Sequence, residues 1–243
     1  MLEILMHGVS TRNYRTVLPE MAEQVGISRS QVSRETIEAG ERVLKALAER
    51  DFGALDILIV YLDGLIFGGH HVIVAVGVDA EGHKHVLGLV EGASENAAAA
   101  TRLLEDLVRR GVKPGRRRLF VIDGSKALRA AIDAVYGADN PVQRCRKHKV
   151  RNVCDQLPKD LRDQVKAAMR AAYRLEAKEG MARLKRQAEW LEAEYPTAAA
   201  SLREGLEETF TVNALGLPAD LRRCLATTNL VESPQSGVRQ RTR

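Results

Sequence analysis

The chain has 243 residues, 45% of them apolar and 28% charged, with a net charge of +5 and three cysteines. This composition excludes a disordered chain, and no uncharged apolar run reaches the roughly 18 residues of a membrane span. Three cysteines and an N-terminus without a basic, apolar leader argue against a disulfide framework and a secretory signal, so the expected location is cytoplasmic.

The positive charge is uneven. Residues 53–154 carry a net +4 and residues 226–243 a net +2, against −1 for 1–52 and 0 for 155–225. The excess clusters at Arg116-Arg117-Arg118 and along Arg144 to Arg151. Such clusters suit nucleic-acid contact, and a solvated basic face is the alternative.

In chain order, residues 1–52 read as helical. Val17, Leu18, Met21 and Val25 give a first helix over Asn13 to Val25. Gly26 then breaks the chain, and Ser28 caps a second helix from Arg29 to Ala48. Helix, short glycine-containing turn and helix form a helix-turn-helix pattern. Arg29, Ser30, Gln31 and Arg34 at the start of the second helix are side chains that bond phosphates and base edges, so they are candidate DNA-binding residues. The alternative is an ordinary helical hairpin.

The period then changes. Ile57 to Leu62 predicts a strand ending at Asp63-Gly64, and Val72 to Val78 and His85 to Val90 predict a hairpin around the turn Asp79 to Gly82. Ser94 is expected to cap a helix through Arg110. Leu119 to Ile122 predicts a fourth strand ending at Asp123-Gly124, and Ser125 caps a helix to about Tyr136. Pro141 to Cys145 is a short fifth strand, followed by a basic helix. The order β-β-β-α-β-α-β-α predicts a mixed α/β sheet covered by helices. Residues 155–225 read as an all-helical insertion broken at Pro196 and Pro218, and 226–243 as the start of a further helix capped by Thr228 or Asn229.

Two carboxylates at strand ends can converge on one site. Their mutual repulsion is relieved by divalent cations, and oxygen ligands suit Mg²⁺ or Mn²⁺. Asp63 and Asp123 are therefore candidate metal-binding and catalytic residues; a third carboxylate would complete the site, and Glu232 is the candidate, with an ordinary helix start as the alternative. Two ions held by such a set support phosphoryl transfer. A plain Asp-Gly turn is the alternative at each aspartate. Arg144, Arg146, Lys147, Lys149 and Arg151 are read as facing phosphate. Trp190, the single tryptophan, is read either as a core residue or as a stacking platform for an unpaired base. Cys145 and His148 make half a zinc site at best, which favours packing or DNA proximity. His70, His71, His83 and His85 suit sheet faces and turn flanks rather than a metal cluster. Gly124-Ser-Lys126 lacks the rest of a phosphate-binding loop, so no nucleotide cofactor is expected.

Leu62-Asp63-Gly64, Val121 to Leu128, Gln143 to Asn152 and Thr227 to Glu232, in this order and spacing, resemble the signature blocks of mutator-type bacterial insertion-sequence transposases. Gly8 to Arg12 and Ser28 to Arg34 resemble the segment ahead of that family's core. The resemblance implies a ribonuclease H-like core with an Asp63-Asp123-Glu232 triad, and Cys145 and His148 match the family's Cys-x-x-His element. It implies metal-dependent cleavage at transposon ends and strand transfer into target DNA, with terminal inverted repeats and target duplex as partners and a homodimer handling two ends. It also implies further sequence on both sides, so the chain is expected to be a truncated copy with weak or no activity. A non-transposing nuclease and a non-catalytic DNA-binding regulator are the rival functions.

Overall fold

A computed structural model describes residues 29–67, 69–93 and 96–231. The helix expected over 13–25, the caps Ser28 and Ser94, and Glu232 lie outside the described residues.

Helix α1 (Arg29–Glu49) stands in a unit comprising residues 1–51 and 232–243. Arg34 on it is exposed. The second unit, residues 52–231, holds the sheet. Its elements are β1 (Ile57–Phe67), β2 (His70–Asp79), β3 (Lys84–Glu91), α2 (Ala97–Arg109), β4 (Leu119–Ile122), α3 (Lys126–Tyr136) and β5 (Val142–Arg144). They continue with α4 (Arg146–Asp155), α5 (Lys159–Ala172), α6 (Ala177–Glu192), α7 (Pro196–Arg203), a 3-10 turn (Glu207–Phe210), α8 (Thr211–Ala214) and α9 (Ala219–Leu225). No helix among the described residues is long and apolar enough to cross a membrane.

The strands lie in the order β3-β2-β1-β4-β5. The β1–β2 and β2–β3 pairs are antiparallel, and β1–β4 and β4–β5 are parallel. This is the mixed sheet expected from the element order, since the hairpins give antiparallel neighbours and the helical crossovers give parallel ones.

Two local expectations are corrected. β1 does not stop at Leu62. Its antiparallel partner β2 goes on pairing through Asp63↔Val74 to Phe67↔His70, whereas the parallel register with β4 ends at Leu62↔Ile122. Asp63 is therefore interior to β1 but sits where β4 leaves it. The cap of α2 is Asn96, whose Oδ1 accepts from the Ala99 N–H at 3.1 Å, so the helix opens later than the sequence suggests.

Alternation along the strands divides the core. Val60, Leu62, Phe120 and Ile122 pack with α2 and α3, through Leu103, Leu107, Leu128 and Ile132 among others. Tyr61 and Val121 point to the opposite face and pack with Val212, Leu225, Ala226 and Val231. The helices after β5 hold a cluster of their own, including Val165, Met169, Leu184, Leu191 and Phe210. Gly180 on α6 is needed there, because any Cβ would collide with the Phe210 ring. Both prolines break the helical run as expected, and each does so at a helix start, Pro196 at the first position of α7 and Pro218 as the N-cap of α9.

Candidate active site

Asp63 and Asp123 each follow the last parallel pair, Leu62↔Ile122, and so occupy adjacent positions on neighbouring strands. By alternation they share the face of Tyr61 and Val121. Asp63 is only 2% exposed, while Asp123 is half-buried. Asp123 also shapes its turn, accepting from the Ser125 N–H through Oδ1 at 2.8 Å. Gly124 adopts φ +110°, and a Cβ there would come within 3.0 Å of the Arg144 side chain, so the turn itself requires glycine after the aspartate. Val231, the last described residue before Glu232, is buried on this same face of the sheet. A cavity of about 530 Å³ opens beside Asp123, with His148, Arg151 and Asn152 in its wall.

Cys145 caps the start of α4 and His148 follows one turn later. Thr228 donates its backbone N–H and its hydroxyl to the Cys145 Sγ at 3.4 and 3.5 Å. Burial alone raises the Cys145 thiol, but the hydrogen bond and charge of His148 and the Thr228 donor bring it below the ordinary thiol value. His148 is raised, first by its hydrogen bond to Cys145 and then, against burial, by the charges of Cys145 and Asp63. The pair thus ties α4 to the segment leading to Val231 and lies within electrostatic reach of Asp63.

The basic helix divides in a way the charge pattern does not show, and three of the five side chains read as facing phosphate have protein partners. Arg144 is 7% exposed and sits 3.4 Å from both Glu204 and Glu208. Lys149 is 2% exposed and donates from Nζ to the carbonyls of Ser201 and Glu204, each at 2.6 Å. Burial, with Arg144 beside it, pushes Lys149 down to about 8. Arg146 donates from Nε to the Thr209 carbonyl at 2.9 Å and bonds Asn213, with its guanidinium 4.6 Å from the Tyr173 ring centre. Burial pushes it down to about 10. All three donate to carbonyls of the helical insertion, and Arg144 and Lys149 also line the cavity beside Asp123. Lys147 and Arg151, four residues apart, are exposed. Arg118 in the other cluster is likewise buried, donating to the carbonyls of Ile57, Lys113 and Arg116.

Trp190 is 56% exposed on α6, which removes the core alternative. The side chains of Arg29, Ser30 and Gln31 are not among those described. The histidines around the hairpin hold one surprise, since donor atoms of Asp79, Glu81 and His83 lie within 4.8 Å of one another. The Asp79 oxygens, however, already accept from the Glu81 and His83 N–H groups at 3.1 and 2.7 Å and meet His85 Nε2 at 2.7 Å. Asp79 is the cap of the β2–β3 turn. The His85 hydrogen bond, against burial, holds its carboxyl below the ordinary value. Because the folded value is the lower one, its stabilisation is complete above the unfolded carboxylate range and is lost as pH falls through the folded value. Asp79→Asn is therefore expected to lower Tm at pH 7, and the gap to the parent protein closes in melts run towards pH 3.

Sequence reasoning passed over Arg162, Lys166 and Arg170, because residues 155–225 are neutral as a whole. Their spacing of four was the available signal.

Comparison with known proteins bears on this arrangement. The family model described as "Transposase, Mutator family" matches residues 1–243. The chain is 28% identical to the transposase for insertion sequence element IS6120 of Mycolicibacterium smegmatis, over 99% of this chain and 75% of that protein. It is 33% identical to the transposase for IS406 of Burkholderia multivorans, over 99% of this chain and 63% of the relative. It is also 33% identical to the transposase for IST2 of Acidithiobacillus ferrooxidans, over 70% of this chain and 57% of the relative. The chain thus spans less than two thirds of two of these three relatives.

Proposed function

The chain belongs to the Mutator family of transposases, and from that premise we propose that it cleaves DNA at insertion-sequence ends and transfers the freed 3′ ends to target DNA. The observation that carries this reading is the adjacent placement of Asp63 and Asp123 on one face of a mixed sheet, beside an open cavity. The strand order supports a ribonuclease H-like core, and α1 supports a helix-turn-helix reading of the N-terminal segment.

The donor set fits hard divalent cations. Two carboxylates at neighbouring register positions offer anionic oxygen, and their mutual repulsion favours a cation between them. Asp63 and Asp123 would hold Mg²⁺ or Mn²⁺, with Glu232 as the third ligand on the segment that continues from Val231. Bound there, the metal would activate the attacking oxygen and neutralise charge on the phosphate.

The chain's own residues do the rest. Asp63 is held by pairing on the β2 side, and Asp123 by its turn, so both carboxylates are placed before substrate arrives. Lys147 and Arg151 present exposed charge along α4 to the DNA backbone. Handling two transposon ends calls for two copies of the chain, hence a homodimer on DNA.

The test is incubation of duplexes carrying the element's ends with Mg²⁺ and a second, target duplex. Joined products support transposition. Hydrolysis without joining points instead to a nuclease, and binding without cleavage to a regulator. Trp190, exposed on α6, is assigned to stacking on an unpaired base near the cleaved end. Trp190→Ala is expected to leave stability within about 0.5 kcal/mol of the parent, as for exposed positions. It should weaken binding of single-strand-tailed duplex by about 1–3 kcal/mol. Quenching of the sole tryptophan's fluorescence by the tail checks the contact directly.

A further inference from the structure

A groove of about 960 Å³ runs between α4, α5 and α9, apart from the cavity at Asp123. Nine of its lining side chains are Arg or Lys, one of them the carbonyl-bound Arg146, against two Asp. The segment 155–225 is neutral overall, yet six of its twelve Lys and Arg side chains line this one groove. Arg162, Lys166 and Arg170 line the groove from α5 at successive turns, facing Lys147 and Arg151 of α4. Lys166, Arg170 and Arg151 have no ion-pair partner among the described residues. Like charges crowded in this way repel, and an extended anion relieves them.

We propose that this groove holds the sugar-phosphate backbone of the DNA segment leading to the Asp63–Asp123 site. The assignment rests on the transposase reading above. Two features favour DNA over a small anion. The α5 row from Arg162 to Arg170 spans about 12 Å, a length over which a duplex presents a charge about every 1.7 Å. Arg151 also lines both the groove and the cavity beside Asp123, so the two adjoin across its side chain. Trp190 lies on the other side of α5, beside Gln164 and Ala168, and is not part of this path.

The experiment measures anisotropy of a mixed-sequence duplex with the whole chain in EDTA, across a salt series. The triple variant Arg162→Gln, Lys166→Gln, Arg170→Gln is expected to bind at least about tenfold more weakly near physiological salt. Its plot of log affinity against log salt should flatten by about 2–3 units. Asp163→Asn, which removes an opposing charge from the groove wall, should tighten binding and keeps the test open if the triple variant misfolds. Lys178→Gln with Arg186→Gln, exposed on α6 away from the groove, is the control and should bind as the parent does. Equal losses in the triple variant and the control overturn the proposal while leaving the transposase reading intact. Absence of DNA binding by the parent overturns both. Unchanged DNA affinity with lost binding of a polyglutamate peptide assigns the groove to an acidic protein segment and overturns it.

Discussion

Replacing Asp63 or Asp123 by Asn is expected to abolish Mn²⁺ binding, read by electron paramagnetic resonance of the free ion. Whatever Mg²⁺-supported DNA cleavage the chain shows should fall by about 10³-fold or more, since a metal site supplies several kcal/mol of charge stabilisation and each ~1.4 kcal/mol is a decade in rate. The fold should survive. Asn keeps the shape of Asp, and removing one of two adjacent negative charges relieves repulsion. Asp123→Asn also retains a side-chain oxygen for the Ser125 N–H. DNA binding in EDTA should be spared, because it depends on cations elsewhere. Unchanged metal binding and cleavage in both variants would reduce the two aspartates to turn residues and favour a non-catalytic regulator.

Arg146→Ala should be the most damaging change in the basic helix, and its effect should be on stability rather than on DNA. The guanidinium bonds the Thr209 carbonyl and the Asn213 side chain, and it stacks on Tyr173. Charged hydrogen bonds contribute about 1.5–3 kcal/mol each and a desolvated cation–π contact up to about 2. Allowing for the cost of burying the charge, a loss of about 3 kcal/mol follows, or about 6–12 °C in Tm for a chain of this size. Lys147→Ala and Arg151→Ala should do the reverse. Exposed substitutions stay within about 0.5 kcal/mol in stability, while each lost phosphate contact flattens the salt dependence of DNA binding by about 0.9. Thermal melts and anisotropy on the three variants separate the two roles. An Arg146→Ala protein that melts like the parent but loses DNA would return Arg146 to the phosphate-facing set.

The division within Arg144 to Arg151 has a plain cause. The helical insertion ends several helices near β5 and α4, and their last carbonyls have no partner within their own helix. Lys149 reaches two carbonyls at the end of α7, at Ser201 and Glu204. Arg146 does the same for Thr209 at the 3-10 turn. Gln143 completes the join, donating to the Thr209 carbonyl at 3.0 Å and accepting from the Val212 N–H at 3.0 Å. The segment that reads as a DNA-facing patch is half a docking surface for the insertion.

Much of the fold is legible in the residues alone. Apolar runs bounded by turn residues mark four of the strands and Pro141 the short fifth, and Ser125, Gly124 and the two prolines give boundaries that the chain obeys. The order of hairpins and crossovers is enough for a mixed sheet, because local pairing and connection length dictate strand direction. The candidate aspartates are legible as Asp-Gly steps after apolar runs, and the family from the order of short blocks. Burial and partnership are not. Nothing in the spacing of Arg144, Arg146 and Lys149 tells them from Lys147 and Arg151. That depends on which carbonyls fold back from residues about 50 to 70 positions later. The extension of β1 past Asp63 depends on β2, and the exposure of Trp190 on how α6 packs. The neutral insertion becomes strongly basic along one groove only when α4, α5 and α9 come together. Local propensity and periodicity act over a few residues and are written in the sequence. Burial, ion pairing and charge segregation are long-range contacts, and only the tertiary structure decides them.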